Sequence, residues 1–166
     1  MSNRRWTKIL VVCWMVLVAG ISIRDSARES APASRWLHVT EMHVYDTWEG
    51  EPPFMSVNRV IRRPFRGEWI ATIRIVTDGS NSAACPPTTG RASYATDARY
   101  PPKLTLDWWI QPDKCRLKPG RYQLDTEWTI LPHDGYPAKT VTAISNIFEV
   151  HALPDAIKAL RSRPSP

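Results

Sequence analysis

The sequence predicts an all-β fold, an antiparallel β-sandwich of about six to eight strands, led by an N-terminal hydrophobic helix. Three observations predict it. Segments of apolar-polar alternation recur after residue 35, turn residues punctuate them every 8–12 residues or so, and an uncharged apolar run, Ile9 to Ile23, stands near the N-terminus.

The run from Ile9 to Ile23 holds 15 residues, with Arg4, Arg5 and Lys8 before it and Arg24 after it. A basic start followed by an apolar run addresses a chain to the membrane, and the rest is exported. As a helix the run reaches roughly 22 Å, short of the roughly 30 Å hydrocarbon core and at the upper limit of a signal-peptide core. Val18-Ala19-Gly20 offers small residues for cleavage, and Ala31-Pro32-Ala33 is a second, more distant candidate. Trp6, Trp14, Lys8 and Arg24 could lengthen the span by interfacial anchoring. We expect residues 1–24 to be a retained signal-anchor helix in an inner membrane, with the domain in the periplasm or outside. The alternative is a signal peptide and a domain secreted after cleavage.

Residues 25–34 are small and polar and read as a flexible tether. The domain proper is expected over 35–151. The clearest strand is Gly120 to Leu131: Tyr122, Leu124, Thr126, Trp128 and Ile130 alternate with Arg121, Gln123, Asp125, Glu127 and Thr129, so one face is buried and one is wet. Lys103 to Ile110 alternates likewise, with Leu104, Leu106 and Trp108 on one face and Trp109 on the other. Gly67 to Thr77 places Trp69, Ala71, Ile73 and Ile75 together. Trp36 to Tyr45, Phe54 to Ile61 and Thr140 to Val150 are three further strands, each slipping phase once as a bulge would produce, the last near Ser145-Asn146. Residues 152–166 read as a short helix after Pro154 and a basic, Pro-containing tail.

The formal charge of +6 comes from 22 basic and 16 acidic residues. Four of the basic residues and none of the acids lie in positions 1–24. Between Arg35 and Val150 there are 14 basic and 13 acidic residues. So nearly neutral a domain argues against nucleic acid as a partner. Of the three cysteines, Cys13 lies in the apolar run. That leaves Cys85 and Cys115 as a pair in an oxidising compartment, and we expect them to form a disulfide.

The stretch Leu117-Lys118-Pro119-Gly120-Arg121-Tyr122-Gln123-Leu124 resembles a late-strand signature of extracytoplasmic immunoglobulin-like domains. In these a tyrosine near the start of a strand closes its hydroxyl back on the preceding loop. The resemblance implies that role for Tyr122. The cysteines depart from the antibody pattern: they sit in loops, so their bond should staple a loop rather than bridge the sandwich core. In its general look, an anchor and one Trp-rich domain, the chain also resembles small uncharacterised membrane-anchored envelope proteins of bacteria and their phages. That likeness implies no activity.

No local signature of nucleophilic catalysis is present: no Gly-x-Ser-x-Gly, no His-Glu-x-x-His. We expect no enzyme, no cofactor and no metal. His38 and His43 flank Glu41, but a ligand set at recognised spacing is missing. Asp46, Glu49 and Glu51 fall in a Pro/Gly turn and read as a solvated loop. Ser145 and Asn146 read as bulge residues whose side chains satisfy backbone groups.

The aromatics are more informative. Of eight Trp, six lie beyond the leader. Strand phase assigns Trp69, Trp108 and Trp128 to the core. Trp109 points the other way, and Trp48 sits in a loop beside Tyr45. Exposed Trp and Tyr suit protein partners or sugar rings. Arg59, Arg62, Arg63 and Arg66 form a basic cluster suited to anionic lipid or an acidic partner, or simply to a charged strand edge. The sequence thus predicts a binding or structural module of an envelope assembly, with an envelope protein or cell-wall glycan as partner and the membrane held through the N-terminal helix. A glycan- or peptidoglycan-binding accessory role is the alternative. A hydrolase with a non-local site is a third reading.

Overall fold

A computed structural model describes residues 3–77, 82–97, 103–106 and 115–155. The chain is mostly β, with one N-terminal apolar helix and two sheets facing a shared core. The helix α1 spans Asn3–Glu29. A one-turn 3-10 segment, Ala33–Arg35, then leads into the first strand. Strands follow as β1 Leu37–Val44, β2 Thr47–Trp48, β3 Phe54–Ile61, β4 Phe65–Ile75, β5 Thr88–Tyr94, β6 Leu104–Thr105, β7 Gly120–Pro132 and β8 Lys139–His151.

One sheet has the order β1-β3-β6 and the other β2-β8-β7-β4-β5. All pairings are antiparallel except β2 with β8, which is parallel. The chain therefore changes sheets between β1 and β2. The inner faces meet over Leu37, Met42, Val44, Met55, Phe65, Ala71, Ile73, Leu124, Trp128, Ile130, Phe148 and Val150. Trp128 and Trp36 are fully buried. Period-two alternation makes β7 work: Tyr122, Leu124, Thr126, Trp128 and Ile130 are all buried while their neighbours face water.

The α1 helix is longer than the apolar run that predicts it. It continues past Arg24 through Glu29, so the expected ten-residue tether reduces to a short link before the 3-10 turn. The physical reason is docking. The Lys139 ammonium donates to the Glu29 carbonyl at the helix end, and Arg28 lies 5.8 Å from the Tyr136 ring. Arg35 covers the same ring at 5.0 Å, and Tyr136 meets Trp36 edge-on at 5.1 Å. Ala31 is buried against the core. By length and composition, Ile9–Glu29 suffices to cross a membrane, and none of it is buried in the protein.

The bulges fall in two of the three expected strands. In β1 the register shifts between Val39 and Glu41; in β8 it shifts opposite Gln123/Asp125, at Ser145-Asn146. By contrast β3 pairs residue by residue along β1 from Met55 to Ile61. Its phase looks broken because Arg59 occupies an inner-face position beside Met55, Val57 and Ile61, where its guanidinium lies 5.7 Å from the Tyr94 ring.

Trp69 takes its expected place on the core face of β4, packed against the core at its margin. It is opposite Trp128 on one side and Gly90 on the other, and it is half-buried. Its indole lies flat over Gly90, where a Cβ would meet ring atoms at 2.3 Å. Trp48 differs from its expected place: it belongs to the edge strand β2, held by backbone pairing to His151, and not to a loop. Cys85 and Cys115 are disulfide-bonded, 5.5 Å apart at Cα, and tie the segment after β4 to the segment before β7. Trp108, Trp109 and the tail beyond Asp155 lie outside the described residues.

Candidate functional site

Where the chain changes sheets, the backbone is held by side chains. Asn146 Oδ1 accepts the Val44 N–H at 2.7 Å, and Asn146 Nδ2 donates to the Val44 carbonyl at 2.9 Å. Asp46 Oδ1 accepts the Glu149 N–H at 2.7 Å. Then Thr47 and Trp48 pair with Val150 and His151, and the Glu49 N–H donates to the His151 carbonyl. Thr47 turns inward and is buried. In extended chain its neighbours must turn outward.

That alternation exposes an aromatic rim. Trp48 is 45% exposed and lies 5.3 Å from the His151 ring. Tyr45 is 37% exposed, edge-on to His43 at 4.7 Å, with the Lys103 ammonium 4.8 Å from its ring centre. Phe54, 53% exposed, starts β3, and its carbonyl accepts the Tyr45 N–H. Three aromatic rings thus stand at one end of the sheets, flanked by His43, His151 and Lys103. Exposed Trp and Tyr on a fixed backbone bury large area at little entropic cost when a partner arrives.

The rim lies at the end opposite α1. β1 starts next to Trp36 and runs to Val44, which at about 3.3 Å per residue carries the chain roughly 25 Å. β8 runs in the same sense, from Lys139 against the helix end to His151 beside Trp48.

The bulge beside the rim is fully employed. Ser145 Oγ accepts the Leu124 N–H at 2.9 Å and donates to the Asn146 carbonyl, and Gln123 Nε2 donates to the Ser145 carbonyl. These bonds make Ser145 and Asn146 holders of the strands. Tyr122 O–H donates to the Lys118 carbonyl at 2.7 Å, closing the loop before β7 in the way the Gly-Arg-Tyr stretch suggests. Burial pushes its phenol above the usual 10.0.

The structure disperses the basic cluster. Arg59 turns toward the inner face and Arg63 pairs with Asp134 at 3.3 Å. The Arg62 N–H donates to the Trp36 carbonyl at the helix end. Arg66 lies on the opposite side of the second sheet, in an open cleft of about 210 Å³ with Glu68 and Arg91. There Arg91 pairs with Glu68 at 2.9 Å, which leaves the cleft a single net positive charge, that of Arg66. The β1 bulge allows His38 and His43 to share a face. Among the described residues no group of three His, Cys, Asp or Glu could hold a metal ion.

Trp48 and Tyr45 stand out in the sequence, whereas Phe54 and His151 do not show there as their neighbours. Phe54 opens the expected strand Phe54 to Ile61, whose phase slip leaves its outward residues unmarked. His151 comes beside Trp48 only through the parallel pairing, which has no local sequence signal. No family model, no curated protein and no solved structure matches the chain.

Proposed function

We propose that this protein is a membrane-anchored extracytoplasmic binding module, with an immunoglobulin-like sandwich that presents its aromatic rim to an envelope protein. The observation that carries the reading is the polarity of the domain. The apolar helix leaves one end, and Tyr45, Trp48 and Phe54 stand exposed at the other. An anchor confines the domain near the bilayer and raises its effective concentration for envelope partners. The disulfide fits an oxidising compartment.

Three features support the immunoglobulin-like assignment. A short early strand pairs in parallel with the last strand. The order β2-β8-β7-β4-β5 faces a smaller β1-β3-β6 sheet. The Tyr122 hydroxyl closes on Lys118. Each of these recurs in that fold class, which serves binding far more often than catalysis but fixes no partner by itself.

The test is crosslinking and affinity capture of the full-length protein from its native membranes, beside the Trp48→Ala/Tyr45→Ala variant. One dominant envelope protein captured by the wild type and lost in the variant supports the reading. Equal capture by both removes the rim from it. Capture of glycan fragments instead moves the function to wall binding.

A further inference from the structure

We propose that the opposite, helix-proximal end of the domain is a docking surface for anionic phospholipid headgroups, which fixes the domain upright on the membrane. The inference rests on reading α1 as a retained span, and it concerns a surface distinct from the aromatic rim.

The geometry begins with the helix. The apolar run ends at Ile23, and Arg24 to Glu29 add six more helical residues. From Asn3 to Glu29 the helix holds 27 residues, about 40 Å, against roughly 40–45 Å for the hydrocarbon with both headgroup layers. The last turn of α1 therefore emerges at the outer margin of the headgroups. The sheets begin there with almost no slack. Lys139 donates to the Glu29 carbonyl, the turn between β7 and β8 brings Gly135 beside Arg28, and Ala31 and Trp36 are buried in the domain core. A flexible tether would let the domain drift away, whereas this junction holds its end against the bilayer.

The side chains at that end suit the location. Arg28, Arg35, Arg62 and Lys139 gather there, with Arg63 paired to Asp134 beside them, and Arg24, Asp25 and Glu29 lie on the last turns of α1. Arg62 is exposed, and its backbone joins Trp36. Arg28 and Arg35 both lie over the Tyr136 ring, with their guanidinium carbons 5.8 and 5.0 Å from its centre. Trp36 and Tyr136 lie beneath them, edge to face. A cationic rim over aromatic rings, one turn beyond a span, matches anionic headgroup chemistry. The remaining arginine cleft, around Arg66, lacks this quality because Glu68 neutralises Arg91 there.

The experiment is hydrogen exchange on the full-length protein in nanodiscs of phosphatidylcholine alone or with phosphatidylglycerol. A cation near an anionic surface contributes about 1 kcal/mol, or about fivefold. The backbone amides of His133, Asp134, Gly135, Tyr136, Ala138 and Lys139 should therefore exchange about fivefold more slowly in the anionic discs. The difference should vanish in roughly 0.5 M salt and in Arg35→Glu/Arg62→Glu. Arg62→Gln, at an exposed position, should reduce it in part, and unchanged protection of β7 in either variant certifies the fold. Equal exchange in both lipids overturns the docking surface and leaves the anchor intact. Failure of the chain to stay with the discs overturns the anchor reading, and the docking surface with it.

Discussion

The Asn146 carboxamide holds both backbone groups of Val44, accepting its N–H at 2.7 Å and donating to its carbonyl at 2.9 Å. It acts as a one-residue stand-in for a strand partner where β1 leaves its own sheet. Backbone groups in a partly buried place need partners, and the β8 bulge aims this side chain at them. The aromatic rim starts at the next residue, Tyr45, so the bulge that looks incidental in sequence sets the geometry of the candidate site.

Asn146→Ala should therefore destabilise the domain by about 1–3 kcal/mol, the cost of leaving buried polar groups unpaired. Urea denaturation of the variant and the wild type reads this directly. A midpoint identical to wild type would show that water replaces the carboxamide without loss.

Gly90 is required by Trp69. A Cβ there would sit 2.3 Å from the indole, so Gly90→Ala must displace the ring or the edge strand. Overpacking of this kind costs about 1–3 kcal/mol. Thermal melting should show it, and Trp69→Leu in the same chain should recover part of the loss.

Tyr122→Phe should lose about 0.5–1.5 kcal/mol with the Lys118 hydrogen bond. It should also change the alkaline limb of stability. Burial raises the folded-state pKa of this phenol above 10.0. Its contribution is complete below 10.0 and is lost as pH rises through the folded value. Stability of the wild type should fall in that window more steeply than that of the variant. Parallel pH profiles would contradict the assignment.

Reduction of Cys85–Cys115 frees a loop with a sequence separation of 30 residues. The chain-entropy model values such a closure at roughly 3–4 kcal/mol. Cys85→Ser/Cys115→Ser should melt well below the oxidised wild type, and reductant should have no further effect on it. Cys13→Ser should melt like the wild type, because that thiol is free and exposed on α1.

The legible parts of the fold are those where one residue's environment follows from its neighbours. In β7 the alternation from Tyr122 to Ile130 names the buried face without help from the rest of the chain. The Ser145-Asn146 bulge also shows itself, as a phase slip between Ala143 and Phe148. Two strands leave no such trace. β5, Thr-Thr-Gly-Arg-Ala-Ser-Tyr, is an edge strand whose residues are mostly wet, with Tyr94 alone fully inside. β2 is two residues long and exists through pairing with residues about a hundred positions away. The helical continuation from Asp25 to Glu29 carries no apolar period, since its support comes from Tyr136 and Lys139. For the site, Trp48 and Tyr45 stand out in the sequence through the number of tryptophans and a loop placement that the structure replaces with strand β2. Their position at the end remote from α1 needs the sheet topology.

The proposed function and the docking surface together require a polar domain, with a lipid-facing end at the helix and a protein-binding rim at the other. The most direct measurement places a photo-crosslinking amino acid at Trp48 or at exposed Ala138 in the full-length protein, in native membranes. A polar domain joins a discrete envelope protein at position 48 and lipid at position 138. The same adduct at both positions, or lipid at position 48, would contradict it.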